Sequence, residues 1–504
     1  MQKSQQVSSA AASAGKLEIE GRSIDFVPHN ERRDKLSTQG PFWFVGNFTF
    51  FTTTIGFVGP SVGLNPLWTA IAGTLGIMFG TLFMAFHGSQ GPHLGLPQMI
   101  QSRAQFGYRG VILVLFATLF VFAGFNIVNL VLMMQGLNAL FHWLPIMVVA
   151  VVTVPSMLLA ILGHDWIHKT FKWSLYVSLP LYGAITLAVM TSWLPGALGA
   201  AGIHAQPMPA LGFNWTGVIT QFAAGASYNI AYAPYVSDYT RYLPKHTRSG
   251  LLILAVFLGA SLSGAWMIAL GGWLSVHLGT ADILVALNSV GSAVGTRGGA
   301  LVVALAILVF LPVIAMNIYS AKLTAITGWD SFFKVKPTPK VRVWAIVFVV
   351  LLQSGVAIFI NSSSSGLSIL NIYLVVMLYF LVPWTAVNLT DYFFVRRGRY
   401  AIPHFFLPQK DNIYGLWGRR GLVAYLIGFV MMIPFFCIYN GPDPVFVGPM
   451  SRLMGNIDLA WLVGLIVSGT AYYLLCLSHD LPKEREFIRR IEEHSPHLTT
   501  GDGW

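Results

Sequence analysis

The sequence predicts an all-α integral membrane protein with about 12 transmembrane helices, and three observations carry that reading. Of the 504 residues, 55% are hydrophobic and only 10% are charged, against about a quarter charged in soluble domains. The mean hydropathy is +0.65. Apolar runs such as 300–314 and 341–360 approach or reach the roughly 20 residues a spanning helix requires. Basic residues are also one-sided. With a cytoplasmic N-terminus and twelve alternating spans, the outer loops hold only Arg297 and Arg452 of the chain's 30 Lys and Arg residues.

In order, the predicted spans cover 41–63, 66–87, 111–140, 144–163, 171–194, 214–236, 250–278, 299–326, 341–360, 367–391, 420–439 and 457–477. The third and seventh exceed the hydrocarbon thickness and must tilt or project from it. Residues 1–39 read as a cytoplasmic tail, 40–391 as a ten-helix core, 392–419 as a cytoplasmic loop, 420–477 as two accessory helices and 478–504 as a second cytoplasmic tail. A Gly-, Ala- and Pro-rich loop at 196–213 and a short turn at 361–366 fall outside. The C-terminal tail, with Lys483-Glu484-Arg485-Glu486, reads as a solvated tail in preference to an amphipathic helix. The N-terminal tail has no apolar core and carries Glu18, Glu20, Asp25 and Glu31, so it is neither a signal nor a transit peptide. The location expected is the cytoplasmic (inner) membrane, multi-pass, with both termini cytoplasmic.

Several function classes are excluded. A pI near 9.6 follows from basic loops facing an anionic leaflet, so the expected partner is the lipid bilayer and not nucleic acid. Cys437 and Cys476 both lie in predicted spans and support neither a disulfide framework nor a metal site. Walker A, G-x-S-x-G and H-E-x-x-H patterns are absent, which leaves no ATP-driven pump or familiar hydrolase. An enzyme would need clustered acids, histidines or metal ligands within the bilayer, and none stands out. The sequence leaves the oligomeric state unspecified.

Two spans are interrupted. The first contains Gly56-Phe57-Val58-Gly59-Pro60, and the sixth is loosened between Gly225 and Pro234. Broken helices persist in a bilayer only where they line a cavity, and paired breaks point to a solute site at mid-membrane depth. Spans 1–5 (40–194) and 6–10 (214–391) then form two inverted repeats, because an odd number of spans per half reverses the second.

Polar and aromatic residues near these breaks are the candidate site. In Asn47 to Thr54, Phe51 and Thr52 lie just ahead of the first break. Thr hydroxyls bond back to their own helix by default, so recognition and packing both stand. Phe125 and Asn129 on span three are four apart and share a face. Together they offer an aromatic platform and an amide to a flat heterocycle, although intramembrane Asn also serves as interhelical glue. Span six supplies Tyr228, Asn229 and Tyr232, and span eight supplies Asn317. Asp238 and Arg241 read as an interfacial pair or gate, while Lys322 snorkels. His164-Asp165 and His168 lie one turn apart near a span end. A metal would need further ligands there, so no metal site is expected.

Longer motifs add a resemblance. Trp43-Phe44-Val45-Gly46-Asn47, Gly91-Pro92-His93-Leu94-Gly95-Leu96-Pro97-Gln98-Met99 with Ser102-Arg103 and Phe106-Gly107, Ser237-Asp238-Tyr239-Thr240 and Asn317-Ile318-Tyr319-Ser320 resemble the nucleobase:cation symporter-1 family, in its purine–cytosine permease branch. The resemblance implies ten core helices in two inverted repeats plus two more, with helices 1 and 6 unwound around the substrate. It places the family's two amides on Asn129 and Asn317. Phe125 and Tyr232 stand where the family commonly has Trp, and both are expected to stack on the ring.

Sodium-coupled relatives use span-eight hydroxyls, but Val309-Phe310-Leu311-Pro312-Val313 offers none. A coupled proton is therefore favoured over sodium, with no other cofactor. The expected function is import of cytosine or a purine, with allantoin, a hydantoin, thiamine or a pyridoxine-type ring as the alternative. Outside that class stands a base-binding membrane receptor.

Overall fold

The computed structural model describes residues 23–191, 211–295, 297–336, 338–362, 366–408, 412–440 and 443–494. The predicted 196–213 loop, most of the N-terminal tail, the centre of the 361–366 turn and the last ten residues lie largely outside that set. Helices dominate. The first span is built in three pieces, α1 (Leu36–Asn47), α2 (Phe50–Ile55) and α3 (Val58–Ser61). Next come α4 (Pro66–Gly88), three short helical turns between Gln90 and Phe106, then α5 (Ile112–Phe141), α6 (Pro145–Leu162) and α7 (His164–Met190). The sixth span is interrupted between α8 (Trp215–Ile230) and α9 (Ala233–Thr240) by a tightened turn at Ala231 and Tyr232, which keep helical angles and are not unwound. It is followed by α10 (Ser249–Leu278), α11 (Ile283–Ser292), α12 (Gly298–Asp330), α13 (Pro339–Ile360) and α14 (Gly366–Thr390). The C-terminal part holds α15 (Arg419–Met432), a hairpin of β1 (Cys437–Asn440) and β2 (Asp443–Val447), α16 (Ala460–Cys476) and α17 (Leu481–His494).

Local chemistry sets many of these starts. Asn65 accepts from the Trp68 amide at 2.9 Å ahead of Pro66, and Asn214 accepts from the Gly217 amide at 2.6 Å. Each is an N-cap side chain satisfying a donor that the first helical turn leaves unpaired. Among the described residues, eight helices are long and apolar enough to cross a bilayer, or nine if α16 and α17, bent by 79°, are one span. Spans one and six fall outside that count because they are broken.

The first break is displaced from its predicted position. Phe48 (φ −90°, ψ 61°) and Thr49 (φ −140°, ψ 160°) leave the helix, whereas Gly56 and Phe57 keep helical angles and only tighten the turn. The glycines have another cause. A Cβ on Gly56 would collide with the Ile268 carbonyl oxygen of α10, and one on Gly59 with the Thr69 side chain of α4. The same contact recurs where Gly76 meets the Phe222 backbone, Gly80 the Ala226 carbonyl, Gly225 the Gly73 carbonyl and Gly271 the Thr53 carbonyl. Span one against seven, and span two against six, therefore pack backbone against backbone, as small residues allow in membranes.

Three further boundaries differ from expectation. The fifth span begins at His164 and not near 171, because Gly163 (φ 90°) alone makes the turn from α6. The eleventh span is a 14-residue helix that gives way at Ile433–Phe435 to a short tight helix and then to the hairpin. The C-terminal tail is helical from Leu481 to His494 and docked. Glu484 ion-pairs with Arg396 at 2.7 Å and shares a hydrogen bond with His479 at 2.5 Å.

Candidate functional site

The two interrupted spans meet through side chains. The Phe51 ring lies 5.8 Å from Phe125 and 5.7 Å from Tyr228, and Phe125 lies 5.8 Å from Tyr228. All three are buried. Tyr373 of α14 closes on Phe125 at 5.4 Å, and Phe310 of α12 on Phe51 at 6.1 Å.

Hydroxyls run alongside this cluster. Thr49 lies 3.4 Å from Thr52, Thr52 lies 2.8 Å from Tyr228, and Tyr228 lies 3.3 Å from Tyr232. Tyr232 donates to the Gly46 carbonyl at 3.2 Å. Each hydroxyl has one proton to give, so that last bond sets the order: Tyr228 donates to Tyr232, Thr52 to Tyr228 and Thr49 to Thr52. The Gly46 carbonyl sits just before the Phe48–Thr49 break, and Tyr232 supplies a partner that lipid could not.

The amides divide into two groups. Asn129 donates to the Phe125 carbonyl at 2.7 Å, while Asn317 donates to Asn126 at 3.1 Å and Asn126 in turn to Gln353 at 3.1 Å. The Oδ1 atoms of Asn129 and Asn317 are both buried without a hydrogen-bond partner among the described residues. An unpaired buried acceptor costs about 1–3 kcal/mol, so each of these two oxygens has bonding capacity left unused. Asn229 is different. Its Oδ1 accepts from Asn47 at 2.8 Å and its Nδ2 donates to Thr81 at 2.5 Å, which ties spans one, two and six together. Adjacent residues on a helix do not share a face, so Asn229 turns away from the cluster that Tyr228 enters.

The structure thus brings together Phe51, Thr52, Phe125 and Tyr228, with Tyr232 at the end of the hydroxyl chain. Tyr232 and Phe125 share no ring contact; Tyr228 stands between them, and Tyr232 packs on Trp43 at 5.9 Å. Tyr228 thus stands between the two rings expected to stack on the solute. Sequence reasoning missed Thr49, Asn126, Gln353, Tyr373 and Phe310. Gln353 had a legible signal, as the single amide in an otherwise apolar run.

The two ends of the molecule differ. On the face carrying Ser23–Lys35, Arg241 donates to the Ser23 carbonyl at 2.8 Å, Arg32 to the Pro92 carbonyl at 2.6 Å, and Asp238 accepts from the Gln98 amide at 3.0 Å. Arg103 pairs with Asp330 at 3.0 Å beneath the Tyr108 ring. At the opposite end, a cavity of about 510 Å³ opens between Val58, Ala224, Leu374, Tyr439 and Asp458. Ala224 is one helical turn from Tyr228 in sequence, but none of Phe51, Thr52, Phe125, Asn129, Tyr228, Asn229, Tyr232 and Asn317 lines this cavity.

A family profile described as permeases for cytosine/purines, uracil, thiamine and allantoin matches residues 26–464. The chain belongs to this family. The permease is 33% identical over 471 residues to the Bacillus subtilis permease YxlA, covering 91% of this chain and 96% of that one. It is 25% identical to the purine-cytosine permease fcyB of Emericella nidulans over 497 residues, covering 95% and 91%. Its fold is that of Mhp1, a nucleobase-cation-symport-1 family transporter solved closed with bromovinylhydantoin bound. The TM-score is 0.67 at 16% identity, covering 92% of this chain and 97% of that one. The permease is a multi-pass membrane transporter and not an enzyme.

Proposed function

We propose that the permease imports a nucleobase, cytosine or a purine, by alternating access coupled to a cation, and that the cation is a proton in preference to sodium. The observation that carries this reading is the Phe51–Phe125–Tyr228 cluster between two broken spans, one turn from Asn129 on α5. A flat ring enters from the 510 Å³ cavity and packs against the aromatic faces. Its N–H groups satisfy the Oδ1 atoms of Asn129 and Asn317, both buried and unpaired, while Thr52 and Tyr228 offer hydroxyls to its edge. The names of the fungal and bacterial relatives support a nucleobase.

The absence of any side-chain oxygen in Val309–Val313 supports a proton, since sodium favours oxygen ligands. The spans 40–194 and 214–391 act as inverted repeats in this reading. The sealed face, with Arg241 and Arg32 holding the N-terminal segment, is the cytoplasmic one.

The test is uptake of labelled cytosine and adenine into proteoliposomes under a pH gradient or a sodium gradient alone. Asn129→Ala and Asn317→Ala each remove an acceptor worth about 1–3 kcal/mol, so KM should rise roughly 5–150-fold. Wild-type affinity in both variants overturns the site; uptake driven by sodium alone overturns the proton.

A further inference from the structure

His164 and His168 sit one turn apart at the start of α7, on the face that carries the N-terminal segment. Their rings lie 4.3 Å apart. Two histidines at this helical spacing make half of a chelate, and spacing alone offers no third ligand. The fold supplies one from 130 residues away. Asp34, held by its amide to the Tyr242 carbonyl at 3.1 Å, places Oδ2 3.3 Å from His164 Nε2. One ligand atom each from Asp34, His164 and His168 fall within 4.8 Å of one another. Two donors at about 2.0–2.1 Å from one tetrahedral Zn2+ stand roughly 3.3 Å apart, so the first pair already has the right separation.

Two further features point to a ligand. His168 Nε2 is buried and has no hydrogen-bond partner among the described residues, while its ring is fixed by stacking on Phe42 at 4.2 Å. His164 Nδ1 lies 3.0 Å from the carboxylate of Asp165. A carboxylate on one ring nitrogen directs the lone pair of the other toward a metal, as outer-shell partners of ligating histidines commonly do. We propose that Asp34, His164 and His168 form a binding site for a divalent transition-metal ion of the Zn2+ class, which pins the N-terminal segment to span five. Because Phe42 belongs to α1, the ion also fastens span one to span five at this end. None of this depends on which solute the permease carries.

The experiment uses the full-length, tag-free protein in detergent after chelator treatment, titrated with Zn2+ by calorimetry and with Co2+ by visible absorption. Expected are about one Zn2+ per chain, a Co2+ band of tetrahedral intensity, and a higher melting temperature with Zn2+. His168→Ala and Asp34→Asn should each weaken Zn2+ binding by at least about tenfold, the loss that even outer-shell changes cause. His277→Ala, which alters a histidine stacked on Trp273 elsewhere, should leave it unchanged. Asp34→Asn is nearly isosteric and in a partly exposed segment, so it keeps the test valid should His168→Ala misfold. The proposal is overturned by no saturable Zn2+ binding, or by equal affinity in Asp34→Asn and wild type.

Discussion

The Thr52 hydroxyl lies 2.8 Å from the Tyr228 phenol, one of several contacts that join the first span to the sixth. Removing the hydroxyl alone should lose two hydrogen bonds, each worth about 0.5–1.5 kcal/mol, while keeping the ring. Tyr228→Phe should therefore raise KM several-fold with the fold intact, whereas Tyr228→Ala, which also removes the ring between Phe51 and Phe125, should abolish uptake. Binding titrations beside melting curves read both effects. Equal loss in the two variants would show that the ring contributes nothing.

Gly56 tests the packing explanation of the apparent break. A Cβ there would meet the Ile268 carbonyl oxygen and the Gly272 amide nitrogen, and overpacking of this kind costs about 1–3 kcal/mol. Gly56→Ala should lower the melting temperature in detergent. Gly183→Ala, on α7 with open space around it, should leave it unchanged or raise it slightly, since Ala is the better helix former. A melting temperature unaltered by Gly56→Ala would return Gly56 to the role of a helix breaker.

The C-terminal helix should remain docked through mild acidification. Burial alone would raise the Glu484 carboxyl, but the Arg396 charge and the His479 hydrogen bond outweigh it and hold it at about 2. A carboxyl depressed in the folded state contributes stability above its unfolded value of 4.5, and loses it as pH falls through about 2. Hydrogen exchange of 481–494, corrected for intrinsic rates, should match at pH 7.5 and pH 5. Glu484→Gln should expose the segment at both. Release of wild type at pH 5 would contradict the latch.

Most of the fold was legible because a bilayer imposes one pattern, the long apolar run bounded by basic loops. The two interrupted spans were legible as well, although Gly56 and Gly59 were misread. A glycine that breaks a helix and a glycine that admits a neighbouring backbone look alike in sequence, since both need only the missing Cβ. The partner that distinguishes them, Ile268, is over 200 residues away.

The site was partly visible for a related reason. Asn129 and Asn317 stand out as amides in lipid, but a helix turns about 100° per residue, and hydropathy gives no azimuth. Asn229, beside Tyr228, was therefore placed in the cluster although it bonds Asn47 and Thr81. Tyr373 and Phe310 were invisible because aromatic residues in spans are common, and only the docking of α14 and α12 brings these two inward. The outer half of span eleven failed differently: its sequence is apolar enough for a helix, yet Pro434 and the pairing of β1 with β2 turn it into a hairpin.

The glycine contacts among spans one, two, six and seven carry a mechanical consequence. Main chains in mutual contact have no side chains to yield between them, so span one against seven and span two against six should resist sliding. The rings of Phe51 and Tyr228 meet Phe125, Phe310 and Tyr373 across a boundary made only of side chains, which can swap rotamers and slide. Opening and closing of the permease should therefore concentrate at that softer boundary.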